Sequence, residues 1–220
     1  MPIKKPLLIF FFNIFFSTNI FSHSGSLDSN GGHFDKRQGL YHCHSSFCDP
    51  KKFFKKKPFK EKGYDRKKWH HWVDEDRDCQ NTRAEILISE SILPIKFRGN
   101  KQCTVLSGKW YGPYSGRYWL LASDLDIDHI VPLFWAYHHG GNQWNSEKKS
   151  NFANDFENLI AVEDRLNQFK GAKGPDHWLP PNKNFQCEYI KKFDQIVKKY
   201  QLTYKPKEKT KMNLLLTDCF

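Results

Sequence analysis

The sequence predicts an α+β domain held by disulfides, and three observations carry that expectation. A β-branched apolar run, Asp126-Ile127-Asp128-His129-Ile130-Val131, is stopped by Pro132. A second apolar run follows at 159–162, and helical composition takes over from Asp164 to Lys170. Six cysteines accompany an export-type N-terminus, a combination that favours disulfides. With 220 residues, 39% apolar and 16% aromatic, the chain has material for one domain with a modest core and an N-terminal appendage.

Residues 1–22 read as a signal peptide. Lys4 and Lys5 form its charged start, 7–16 is an apolar stretch broken only by Asn13, and Ser22 offers a cleavage point before His23. The stretch is short for a membrane span, and an uncleaved anchor is the alternative. Cleavage takes the formal charge from +11 to +9 by removing those two lysines.

Residues 23–50 are rich in Ser, Gly, His and Cys and end in Tyr41-His42-Cys43-His44 before Cys48. They resemble the short YHYH-type segment of some exported bacterial proteins. His33, His42 and His44 are of the type that binds zinc or copper; a glycine-rich hairpin closed by Cys43 and Cys48 is the plainer reading. Residues 51–63 form a basic linker with interleaved phenylalanines, suited to phosphates and unpaired bases or simply solvated.

The main domain spans 64–204. Asp74, Glu75, Asp76 and Asp78 cluster near its start, and a structural entry segment is favoured there over a metal site. Residues 82–92 predict a helix with Thr82 as cap, Glu85 as capping-box partner and Ile86, Leu87 and Ile92 as apolar stripe. Runs 103–111 and 117–121 flank Gly112-Pro113-Tyr114-Ser115-Gly116 and predict a hairpin. Lys109 and Arg117, with the rings beside them, are candidate nucleic-acid contacts. In 134–151, His138 and His139 stand beside a Gly-Gly turn and read as loop residues rather than ligands, Trp144 as an anchor, and 146–151 as helical. After a rigid, proline-rich stretch at 174–181, residues 185–200 predict a basic amphipathic helix with Tyr189, Phe193, Ile196 and Val197 on its apolar side. Residues 205–220 read as a charged C-terminal tail, mobile where the charge is densest.

Six cysteines permit fifteen pairings. Their order suggests Cys43 with Cys48, Cys79 with Cys103, and Cys187 with Cys219; a zinc site from Cys43, Cys48, His42 and His44 is the competing use.

The chemistry concentrates at Asp128 and His129. A carboxylate that can hold a hard cation, beside an imidazole free to take a proton from water, suits metal-assisted hydrolysis. Neighbouring side chains on a strand point to opposite faces, so the two diverge unless the strand end bends, as Pro132 would allow. Alone such a pair is more often structural. Asn158 at the opening of the second strand and Asn167 on the following helix change that balance.

Several ordered blocks then carry a resemblance: DCQNTRAEIL (78–87), GKWYGPYSGR (108–117), DIDHIVPL (126–133), FANDFENLIAV (152–162), LNQFKG (166–171) and WLPPN (178–182). Over residues 64–202 the chain resembles the secreted and restriction-associated HNH endonucleases, including the C-terminal nuclease domain of GmrSD-type enzymes. The resemblance implies a ββα-metal core with added helices and a β-hairpin. It makes His129 the general base, Asp128 a metal ligand, Asn158 the residue that orients the base and Asn167 the second ligand, where the family more often has His. Lys170 joins Lys109 and Arg117 as a candidate nucleic-acid contact. Oxygen ligands favour Mg²⁺ or Mn²⁺, with Zn²⁺ and Ca²⁺ as alternatives.

The 35 Lys and Arg against 24 Asp and Glu fit sequence-independent contact with phosphates. The expectation is a monomeric, secreted or periplasmic endonuclease with little sequence specificity acting on DNA, with RNA left open as an alternative substrate, and without stable membrane association once the signal is removed. The alternatives are an exported nucleic-acid-binding or DNA-uptake protein with an inactive HNH fold, and a metal-binding surface protein built on the N-terminal histidines.

Overall fold

A computed structural model of the chain describes residues 32–35, 40–44 and 63–219. The expected signal peptide, nearly all of the basic linker, and Cys48 with its expected bond to Cys43 lie outside the described residues. In the appendage, β1 (Gly32–Asp35) pairs antiparallel with β2 (Leu40–Cys43), and His33 stands opposite His42 in the backbone register.

The main domain enters through a 3-10 turn, Arg66–Trp69, whose Trp69 is buried. Helix α1 (Thr82–Ser89) follows, and its cap differs from the expectation. Asn81, not Thr82, accepts the backbone N–H of Ala84 at 3.1 Å. The Thr82 hydroxyl instead lies 2.9 Å from the Val73 carbonyl and 2.8 Å from Asn154 Oδ1, tying the helix to the entry segment. Because α1 ends at Ser89, Ile92 falls beyond the stripe and is 55% exposed.

The expected hairpin is present as β4 (Val105–Gly112) and β5 (Arg117–Leu121), joined across Gly116, whose φ of +75° suits a residue without Cβ. A short β3 (Lys96–Phe97) adds a third strand, in the order β3-β4-β5. Next come β6 (Leu125–His129), α2 (Leu133–His138), α3 (Ser146–Ala153), β7 (Leu159–Glu163) and α4 (Asp164–Lys170). The amphipathic helix is α5 (Lys183–Lys199), with its four expected apolar residues buried.

Strands β6 and β7 pair antiparallel with Asp128 opposite Ile160 and His129 opposite Leu159. Their side chains alternate between two cores: Leu125, Ile127, Leu159 and Ala161 pack with α1 and Trp110, whereas Ile160 and Val162 pack with Tyr114, Leu166 and Phe193. Burial on both faces explains why β7 reads as an unbroken apolar run. Helix α4 starts directly after β7 and packs on both strands.

The expected tail is instead a helix, α6 (Pro206–Thr217). Pro206 stands at its start, the Glu208 side chain accepts the backbone N–H of Lys205 at 2.9 Å, and Met212 is buried. Glu208 also reaches His139 Nε2 at 2.7 Å, and the His139 ring stacks on Trp135 at 3.5 Å. His139 is therefore packed at the end of α2 rather than placed in a loop. The Cys187–Cys219 bond fastens α6 to α5, and the Cys79–Cys103 bond closes the segment holding α1 and β3. These are two of the expected pairs. Their separations of 24 and 32 residues each correspond to roughly 3 to 4 kcal/mol in the chain-entropy account. Replacing Cys187 and Cys219 together by serine is expected to lower the thermal midpoint by roughly 10 °C in a denaturation scan.

Candidate active site

At the end of β6, the Asp128 carboxylate is buried, accepts two hydrogen bonds and forms an ion pair. Tyr114 Oη donates to Oδ2 at 2.6 Å, and Lys170 Nζ lies 2.8 Å from Oδ2 and 3.1 Å from Oδ1. Nζ also donates to the His129 carbonyl at 2.8 Å. Burial pushes the Asp128 carboxyl up from the ordinary carboxylate range, while Lys170 and the Tyr114 hydroxyl pull it back. Burial likewise pushes the Lys170 ammonium down, and Asp128 opposes this. The Tyr114 hydroxyl is raised well above its usual range, by burial first and by Asp128 second. Tyr114→Phe removes only this donor, and its expected cost is about 1.5 to 3 kcal/mol, as for a hydrogen bond to a charged group, measurable by chemical denaturation.

The His129 imidazole takes different partners. Its Nε2 lies 2.8 Å from the Ala153 carbonyl, which can only accept, so Nε2 carries the proton and Nδ1 keeps the lone pair. The ring lies 5.7 Å from Trp72. Burial is the main force pushing His129 down to about 3, with the charges of Arg66 and Lys170 adding to it and the Ala153 bond opposing it. Hence the imidazole is neutral at ordinary pH. An unfolded His takes its proton near pH 6.5, so between that pH and about 3 the unfolded state binds more protons, and stability is lost as the pH is lowered through this range. In chelator, the stability advantage of the wild type over His129→Gln is expected to shrink as pH falls through this window, at up to roughly 1.4 kcal/mol per pH unit; denaturant midpoints measured at several pH values check it.

The two asparagines hold separate parts of the frame. Asn158 is fully buried: its Oδ1 accepts from Val131 N at 2.8 Å, its Nδ2 donates to the Val131 carbonyl at 3.3 Å, and its own carbonyl accepts from Ile130 N at 2.8 Å. It thereby clamps the turn that leaves His129. Asn167, on α4, donates its Nδ2 to Asp126 Oδ2 at 3.0 Å. That bond fixes the amide and leaves Oδ1 as the oxygen available to a further partner.

Asp128, His129 and Asn167 line one cavity of about 240 Å³, together with Arg66, Pro132 and Gly171. Gly171 caps α4 with φ +55° and donates its N–H to the Asn167 carbonyl at 2.9 Å. Asn158 stands behind the cavity. Lys170 is not placed as a surface contact to nucleic acid: it is fully buried and spent on Asp128 and the His129 carbonyl. Lys109 and Arg117 sit on β4 and β5 and do not line the cavity. Oxygens of Asp74, Asp76 and Asp78 come within 4.8 Å of one another, but these carboxylates also accept backbone N–H groups of their own loop.

Three participants were missed in the sequence. Arg66 and Tyr114 reach the site from an entry turn and a hairpin tip, and nothing local marks either. Asp126 had a signal, because it lies two residues before Asp128 and so shares its face of β6.

Residues 79–213 match the family of the C-terminal domain of GmrSD restriction endonucleases. An uncharacterized secreted protein of Arthroderma benhamiae is 37% identical over 159 residues, covering 71% of this chain and 76% of the relative. No solved structure matches the chain. A match running from the first cysteine of the main domain into the last helix spans Asp128, His129, Asn158 and Asn167, and by it the chain belongs to the GmrSD restriction endonuclease C-terminal domain family, a nuclease-type domain.

Proposed function

We propose that the chain is an exported, metal-dependent endonuclease of the HNH type, with β6, β7 and α4 as its ββα unit and phosphodiester bonds of DNA as its substrate, RNA being the alternative. The observation that carries this reading is the single cavity lined by Asp128, His129 and Asn167, with the His129 lone pair on Nδ1. Nδ1 takes the proton of the attacking water, and the Ala153 carbonyl holds the ring in the tautomer this requires. Arg66, the cationic side chain lining the cavity, faces the scissile phosphate. Asn158 keeps the turn after His129 in place, and Tyr114 and Lys170 fix the Asp128 carboxylate.

The donor set fits a hard cation, because it consists of a carboxylate and an amide oxygen oriented by Asp126. Asp128 and Asn167 would hold Mg²⁺ or Mn²⁺, which when bound polarises a phosphate oxygen and stabilises the departing oxygen. Two disulfides and a relative described as secreted support export. The excess of basic residues supports contact with phosphates regardless of base sequence.

One observation favours a binding protein without catalysis: both Asp128 oxygens already carry hydrogen bonds from the chain itself. Calorimetric titration with Mn²⁺ separates the readings. Asn167→Ala is expected to weaken Mn²⁺ binding at least about tenfold with a parallel loss of cleavage. Wild-type protein that binds no Mn²⁺ and leaves nucleic acid intact would contradict the proposal.

A further inference from the structure

Resting on the nuclease reading, we infer that the outward face of the β4–β5 hairpin is a stacking platform for unpaired bases, so that the substrate this surface selects is single-stranded nucleic acid. Seven of the nine most exposed large apolar side chains among the described residues lie between positions 92 and 121. Five of them, Leu106, Tyr111, Tyr118, Leu120 and Leu121, belong to the paired strands β4 and β5, and an apolar concentration on one hairpin is of the kind that meets a partner. On this face Tyr111 and Tyr118 stand opposite each other across the two strands, 42% and 59% exposed, with ring centroids 5.5 Å apart. The strand period sends their neighbours Trp110 and Trp119 the other way, into the core beside α1. The core therefore has its aromatic anchors without the two tyrosines.

The surroundings of the pair say what it meets. Lys109 Nζ sits over the Tyr118 ring, 4.7 Å from its centre; a stacking base takes that face by displacing the flexible lysine side chain, whose ammonium then stays within reach of the nucleotide's phosphate. Exposed Arg117 stands next to Tyr118 in sequence and opposite Gly112. Neither β4 nor β5 contains a carboxylate. Asn182 Nδ2 donates to the Tyr111 hydroxyl at 3.2 Å, holding that ring in place and lowering the cost of ordering it. Rings with flanking cations are the means by which proteins hold unpaired strands, because every base offers a π-face whereas duplex bases are hidden in their own stack. A second copy of the chain is the competing occupant, since β5 is an open edge of its sheet. Docking two copies face to face would set Lys109 and Arg117 of each against the same cations of the other, and a chain of net charge +11 adds to that repulsion. The hairpin also reaches the site. Tyr114, three residues beyond Tyr111 and so within about 10 Å along the backbone, is the residue whose hydroxyl meets Asp128.

The test is a fluorescence-anisotropy titration of the full, oxidised chain in EDTA, where binding is read without cleavage. The probes are a fluorescein-labelled oligothymidylate of about 12 nucleotides, within the site size of such platforms, and a blunt duplex of similar length. Tyr111→Ser with Tyr118→Ser is expected to weaken oligothymidylate binding about tenfold or more and duplex binding by less than about twofold, while Tyr118→Trp retains tight binding. Thermal melting unchanged in these exposed-site variants confirms that the fold is intact. Equal losses on both probes, or no loss on either, would overturn the platform. Sedimentation showing a wild-type dimer that the double substitution dissociates would assign the face to a second copy instead. Wild-type protein that binds neither probe would overturn the nuclease reading as well, whereas cleavage that depends on His129 without discrimination by the tyrosines would remove the platform alone.

Discussion

His129→Ala is expected to lower metal-dependent cleavage by about 10²- to 10⁴-fold, the loss typical of a positioned general base. The expectation rests on the ring's hydrogen bonding. With Nε2 engaged by the Ala153 carbonyl, Nδ1 is the nitrogen able to accept a proton, and burial keeps it unprotonated down to about pH 3. The substitution has a structural cost as well, because His129 is buried and its loss leaves the Ala153 carbonyl without that donor. About 1 to 3 kcal/mol of stability should go with it. His129→Gln keeps an N–H donor of similar reach and no base, so it separates the two effects: stability should recover substantially while cleavage stays lost. A His129→Gln protein that cleaves at the wild-type rate would remove the imidazole from the mechanism.

Lys170→Ala is expected to be the most destabilising single change near the site. Lys170 is fully buried and its charge is matched by Asp128; removing it leaves a carboxylate in the core with the Tyr114 hydroxyl and the weaker influence of the Arg66 charge against it. Removing one partner of a buried pair typically costs about 3 to 5 kcal/mol. For a chain of this size that amounts to a fall of roughly 10 °C in the thermal midpoint. Lys170→Ala combined with Asp128→Ala should cost less than Lys170→Ala alone, because no unmatched charge remains. A double variant that is further destabilised by a full additive increment would show that the pair is not coupled. Differential scanning calorimetry on the three proteins decides it, and it also separates a supporting role for Lys170 from contact with nucleic acid, which would alter binding without altering the midpoint.

Much of this architecture is legible in the sequence because its signals are local. The run that ends at Pro132, the Gly-Pro-Tyr-Ser-Gly turn and the spacing of Tyr189, Phe193 and Val197 each announce an element through periodicity or turn chemistry. The exchange of Thr82 for Asn81 as cap is a one-residue shift that depends on Thr82 finding Val73 and Asn154, partners invisible to a local reading. Helix α6 is hidden by its lysines, since its anchors are buried Met212, half-buried Leu215 and Leu216, the contact of Glu208 with His139 and the bond of Cys219 to Cys187. The site divides in the same way. Asp128, His129, Asn158 and Asn167 are marked by their order along the chain. Lys170 is not, because lysines are almost never fully buried unless paired, and its partner lies 42 residues away. Arg66 and Tyr114 come to the site only through the packing of the entry turn and the hairpin tip.

The central claim is tested most directly by incubating supercoiled plasmid, and the same plasmid heat-denatured, with the oxidised chain in EDTA, Mg²⁺, Mn²⁺ and Zn²⁺, with His129→Gln alongside. The account predicts nicking and linearisation in Mg²⁺ or Mn²⁺, none in EDTA, and none by the variant under any condition. Plasmid and heat-denatured plasmid that are both retarded on the gel but left intact in every metal, or that are cut equally by wild type and variant, would contradict it.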